Sequence, residues 1–162
     1  MTGPGGVVVI GVGNEFRGDD GAGPKVVTRL HGRVPRDVRL VLSDGEPTSL
    51  LEAWTGAVLA IVADAVAGGA APAGELRRLV LGQAADVAGL TANEAGVASS
   101  HGLGLETAIG LGAALGRLPQ ILIVHCVQGA DFSQRHGLTE PVAAAIGSLA
   151  DAILADVSAA RE

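Results

Sequence analysis

One cysteine, no tyrosine, one tryptophan and two phenylalanines in 162 residues leave several kinds of protein out of reach. A lone thiol, Cys126, excludes an internal disulfide and any zinc site built on several cysteines. Basic residues are also in short supply, 11 against 17 acidic ones, for a formal charge of −6. That balance repels a phosphate backbone, so no nucleic-acid partner is expected. No apolar run reaches the roughly 18 uninterrupted residues of a membrane span. The opening MTGPGG has neither the basic nor the apolar region of a signal peptide, so no membrane insertion and a cytoplasmic location are expected. Gly-Lys-Ser and Gly-Lys-Thr are absent, which removes the P-loop, and so are Gly-x-Ser-x-Gly and His-Glu-x-x-His.

What is present is aliphatic. Hydrophobic residues make up 48% of the chain with only 2% aromatic, and there are 25 glycines, so the core is expected to be built from small side chains with helices lying close on a sheet. The length suits a single domain, residues 1–162, able to bury about 70% of its unfolded surface. Val7 to Val12 reads as a strand buried on both faces, and Ala22, Val26, Val27 and Leu30 mark a helix ending near Gly32. A strand at Val38–Leu42, a short helix at Ser49–Trp54 and an apolar strand at Ala57–Ala63, ending on Asp64, follow. Glu75–Leu81 alternates like an outer strand, and residues 82–100 read as a substrate-side excursion ending before His101. Leu105, Ile109, Gly112 and Leu115 mark another helix face, Gln120–Val127 a strong strand, and Val142, Ile146, Leu149 and Ile153 a last helix opened by Thr139 and Pro141. This order predicts an α/β three-layer sandwich, a mixed twisted sheet of about five strands between helices.

The stretch VVVIGVGNEFRGDDGAG, Val7 to Gly23, runs a buried strand into a glycine-punctuated turn and then into two carboxylates, Asp19 and Asp20. In open α/β sheets ligands bind at the carboxyl ends of strands, so acids gathered there suggest chemistry. A dinucleotide fingerprint fails: Gly11-Val12-Gly13 lacks its third glycine, position 16 being Phe, and acids stand where a pyrophosphate would need amides. Read alone, Asp19 or Asp20 could simply cap the helix that follows. A second strand also ends on an acid, Asp64, and a later loop supplies His101, so Asp20, Asp64 and His101 could converge. Two carboxylates and an imidazole suit a borderline divalent ion such as nickel, zinc or manganese, with positions left open for a substrate. Cys126 lies in the apolar run ILIVHCV and reads as a buried strand residue, with His125 on the opposite face. Arg135 and His136 read as solvent-facing, and His31 as a cation at a helix C-terminus.

Gly13-Asn14, Asp19-Asp20, Ser43-Asp44-Gly45, Asp64-Ala65, His101-Gly102-Leu103 and Gly137-Leu138-Thr139, in that order, resemble the hydrogenase maturation endopeptidases over nearly the whole chain. The resemblance implies an aspartic-type endopeptidase that removes a C-terminal extension from a nickel-loaded nickel-iron hydrogenase large-subunit precursor. It implies metal-binding and catalytic roles for Asp20, Asp64 and His101, and a supporting or substrate-positioning role for Asp44. Relatives can carry Glu where this chain has Asp20, one methylene longer. Nickel would come with the precursor, and no organic cofactor is expected. A non-catalytic nickel-sensing or chaperone module for the same precursor, or a Rossmann-like nucleotide binder, are the alternative readings.

Overall fold

The computed structural model describes residues 6–81 and 104–161. Its elements are β1 (Val7–Val12), a single 3₁₀ turn (Gly18–Gly21), α1 (Ala22–Leu30), β2 (Arg39–Ser43), α2 (Pro47–Trp54) and β3 (Leu59–Val66). They continue with β4 (Leu76–Leu81), α3 (Gly104–Leu115), β5 (Ile121–Gln128) and α4 (Glu140–Ala160). The five strands form one sheet in the order β2-β1-β3-β5-β4, parallel except for β4, which pairs antiparallel at the edge. The expected mixed five-stranded α/β sandwich is therefore the observed fold.

Alternation along the buried strands divides the core in two. Val8, Ile10, Val12, Ala60, Val62, Leu122, Val124 and Cys126 face α2 and α3, with Trp54 the largest buried side chain there. Val9, Ile61, Ala63, Ala65, Ile123 and Val127 face α1 and α4. α4 has the length, 21 residues, and the mean hydropathy, 1.6 over 18 of them, of a membrane-crossing helix. Its apolar stripe Val142, Ile146, Leu149, Ile153 and Val157 is buried against α1 and the sheet.

Three boundaries differ from the sequence reading, each for a local reason. Asp64 does not follow β3 but lies inside it, because β5 continues the parallel pairing through Asp64, Ala65 and Val66 opposite Cys126, Val127 and Gln128. A 3₁₀ turn holding both acids precedes α1, whose N-cap is Gly21 and has no side-chain cap. Leu115 is 56% exposed: α3 stops there, and Leu118 folds back over Gly112 to fill the position on the buried face.

Glycines set how closely α1 lies on the sheet. A Cβ on Gly11 would strike the Gly23 carbonyl oxygen and Val27 Cγ2, the latter at 2.6 Å. One on Gly23 would strike the Val12 carbonyl oxygen, with Val12 N at 2.6 Å and Ala63 O at 2.7 Å. At the other end of the molecule α4 is fastened to the sheet by polar groups. His125 Nε2, buried on β5, lies 2.7 Å from Asp156 Oδ2 on α4. Arg78 of β4 donates to the same carboxylate through Nε at 3.2 Å and Nη2 at 2.7 Å.

Two expectations follow from this packing. Gly23→Ala forces a methyl against three backbone atoms that cannot rotate away, and overpacking of this kind costs about 3 kcal/mol at the upper end of its usual range. Urea unfolding should show the loss as a lower midpoint with an unchanged slope. Burial pushes the His125 imidazole below its ordinary value against the opposing pull of Asp156. The unfolded chain therefore takes up a proton near pH 6.5 that the folded chain refuses. Stability is complete above that pH and drains away as pH falls below it toward the depressed folded value. Burial acts to raise the Asp156 carboxyl, but bonds from Arg78 and His125 hold it below 3.8, so its own loss comes only at more acid pH. Unfolding curves across pH 4.5 to 8 should show the decline, and His125→Gln should flatten it; an unchanged slope in the variant would contradict this account.

Candidate active site

The sheet changes direction of winding between β1 and β3. From β1 the chain crosses through α1 on one face to β2, then through α2 on the other face to β3 on the far side of β1. A crevice at the carboxyl ends of the strands is the usual ligand position at such a switch. Gly11 stands level with Ala63, which places Val12 beside Asp64 at that edge. The loop leaving β1 is short of room. Gly13 has φ 144°, and a Cβ there would run into the Asp20 carbonyl oxygen, while its N–H donates to the Ser43 carbonyl at 3.0 Å. Gly18, at φ 60°, would strike the Asp131 carbonyl if it carried a side chain.

Asp20 is fully buried in the 3₁₀ turn. Its Oδ2 accepts the Asn14 N–H at 3.0 Å, and the half-exposed Arg17 guanidinium lies 3.8 Å away. The turn itself packs against β3. Asp64 is 1% exposed and points to the α2 and α3 side of the sheet, on the same face as Val62. In register it stands in one cross-strand row with Cys126 of β5 and Arg77 of β4. Of the two buried carboxylates, one thus lies within β3 near its carboxyl end and the other in the turn that packs against β3.

Asp44 follows β2 and is exposed. Its Oδ1 accepts the Glu46 N–H at 3.0 Å, closing the turn that starts α2. His101 lies outside the described residues. Gly104, which opens α3, sits so tightly on the Gly45 carbonyl that a Cβ could not be placed there. Among the described residues no three His, Cys, Asp or Glu side chains gather closely enough to hold a metal ion. A ligand set of three would have to draw on residues outside those described.

Asp19 is the acid whose environment sequence reasoning missed. Rather than capping α1, its fully buried carboxylate turns to the loop between β5 and α4. Oδ2 accepts the N–H groups of Ala130 at 2.7 Å and Asp131 at 3.0 Å, and Oδ1 accepts that of Thr139 at 2.7 Å. The Thr139 hydroxyl reaches both oxygens, at 3.0 and 2.9 Å. Thr139 is the N-cap of α4, so Asp19 satisfies one amide that this helix end would otherwise leave unpaired. The doublet of acids was the only local sign, since the partners lie 111 to 120 residues away.

Other candidates fall away on their surroundings. Burial, with Asp64 nearby, pushes the Cys126 thiol up to about 12, which leaves it protonated and unreactive. The Gly13 and Asn14 N–H groups, which a nucleotide's phosphates would use, are already taken by Ser43 and Asp20. Arg135 and His136 are exposed as expected, and the His136 ring lies 5.6 Å from that of Phe16. A cavity of about 390 Å³ opens on the α1 side, lined by Glu15, Lys25, His136 and Leu138, without Asp20, Asp44 or Asp64 in its walls.

The fold recurs in solved structures. The hydrogenase maturating endopeptidase HybD from E. coli superimposes with a TM-score of 0.77 at 23% identity, over 98% of this chain and 93% of that one. A hydrogenase 2 maturation peptidase from a Thaumarchaeota archaeon gives 0.67 at 26% identity, covering 93% of this chain and 97% of that one. The [NiFe] hydrogenase maturation protease HybD from Thermococcus kodakarensis gives 0.66 at 18% identity, covering 94% and 97%. No curated protein sequence matches significantly. Residues 24–156, most of the domain, match the hydrogenase maturation protease family, and the chain belongs to that family.

Proposed function

We propose that this protein is an endopeptidase that removes a C-terminal extension from the large-subunit precursor of a nickel-iron hydrogenase after nickel has been inserted. The observation that carries the reading is the pair of buried carboxylates, Asp20 and Asp64, at the switch between β1 and β3, in a chain of the maturation protease family. Nickel enters as part of the substrate. Asp20, Asp64 and His101 complete its coordination shell and so hold the adjoining peptide in place. His101 is included because His101-Gly102-Leu103 resembles the family's histidine loop, within the stretch that matches the family.

Bond cleavage is then a matter of position and proton transfer. A carboxylate takes a proton from the attacking water as it adds to the peptide carbonyl, and that proton passes to the departing amine. This is hydrolysis of the aspartic type, in which burial strengthens each charged contact because little water screens it. Asp44, exposed at the end of β2, positions the substrate at the entrance. The Asn14 N–H and Arg17 keep Asp20 oriented when no substrate is present.

Incubating the protein with a hydrogenase large-subunit precursor, with and without nickel, and weighing the precursor by intact mass spectrometry tests the reading. Loss of a short C-terminal peptide only in the nickel-loaded sample is expected; an unchanged mass in both would favour a binding module instead. Asp20→Asn, Asp64→Asn and His101→Ala should each slow cleavage by at least about 100-fold while retaining the native circular dichroism spectrum. Asp44→Asn keeps the acceptor for Glu46, so the turn survives in that variant. If the charge itself positions substrate, kcat/KM falls about tenfold in both Asp44→Asn and Asp44→Ala, equivalent to roughly 1.4 kcal/mol. Wild-type kinetics in the asparagine variant would reduce Asp44 to a turn former.

A further inference from the structure

We infer that Asp19 is a positioning residue for cleavage: it clamps the 3₁₀ turn to the β5–α4 loop and thereby fixes where the neighbouring Asp20 carboxylate stands. The inference rests on the protease reading above and adds to it a residue one peptide bond away that touches neither substrate nor metal.

The clamp is built from both sides of the turn. Within its own loop, Asp20 is held by the Asn14 N–H. From the opposite loop come the three backbone amides and the hydroxyl that converge on Asp19. The two loops also exchange backbone bonds: Gly18 N–H to Arg135 O at 2.9 Å, Asp19 N–H to Asp131 O at 2.8 Å and Arg135 N–H to Phe16 O at 3.1 Å. Gly129 leaves just enough space, since a Cβ there would sit 3.1 Å from Asp19 Cβ and closer still to the Phe132 ring.

A buried carboxylate is a costly way to join two loops unless every oxygen is satisfied, and here both are. The donors also define the chemistry required. Oδ1 faces the Thr139 N–H and Oδ2 faces those of Ala130 and Asp131, so an asparagine in either flip would set its own N–H₂ against a donor. Aspartate is therefore demanded at 19 by hydrogen bonding. The rigidity it confers passes directly to Asp20 through one peptide bond and a turn that has no slack, with Gly13 and Gly18 both in positive-φ conformations.

Amide hydrogen exchange and cleavage kinetics on the full chain test this together. Compared with the wild type, Asp19→Asn should speed exchange at residues 17–21 and 130–139 and lower kcat for the nickel-loaded precursor by about 100-fold, the effect of misplacing a reacting group by about 1 Å. Thr139→Val, which keeps the backbone donor, should lower kcat by a smaller factor, and Thr139→Ser should restore it. Leu149→Ala, in the α1 and α4 core, serves as a control destabilised at a distance; it should retain wild-type kcat at a temperature where it remains folded. Wild-type kcat in Asp19→Asn, or an equal fall in the Leu149 control, would overturn the positioning role. If the wild type itself fails to cut, the protease reading fails; unchanged exchange in Asp19→Asn would sink the clamp separately.

Discussion

The distance between α1 and the sheet governs this molecule's chemistry. Gly11 and Gly23 remove the two side chains that would hold the helix off β1, and Gly23 brings the first turn of α1 against the backbone of Val12 and Ala63. With the helix drawn in, the loop from Asn14 to Gly21 has to double back tightly over the strand ends, and Gly13 and Gly18 supply the positive-φ turns that permit it. The folded-back loop buries two adjacent acids where a longer loop would have left them in water. Small core residues and the buried acidic site are thus parts of one solution, and the scarcity of aromatics is its compositional trace.

The same switch in strand order hosts nucleotides in other α/β proteins, where helix amides at the first turn receive phosphate. Here the amides of Gly13 and Asn14 are consumed internally, and the loop buries two carboxylates beside them. The same architecture can thus carry first turns of different chemistry, so topology alone does not decide function.

Much of the fold was legible because its elements carry strong periodic signals. Continuous apolar runs marked β1, β3 and β5, and the stripe Val142, Ile146, Leu149 and Ile153 marked α4 without ambiguity. Asp64 was recognisable as an acid at the end of an apolar strand, although the strand runs on past it, because pairing with β5 outweighs the local cost of a carboxylate in the ladder. Leu115 was misplaced because periodicity cannot foresee Leu118 returning over Gly112. The burial of Asp20 and Asp64 could be read from their place after or within apolar strands. The role of Asp19 could not: its partners are backbone amides of a distant loop, which no side-chain pattern announces.

The separation of those partners has a consequence for how the chain is made. Asp19 is bound to Thr139 across 120 residues of sequence. At a synthesis rate of about 5–20 residues per second, roughly 6–24 s pass between the two leaving the decoding centre. Until then the first loop has no opposite wall, and the acids beside β1 are not yet held in place. An activity that depends on that loop is therefore withheld from the nascent chain until Thr139 has been made and folded against Asp19.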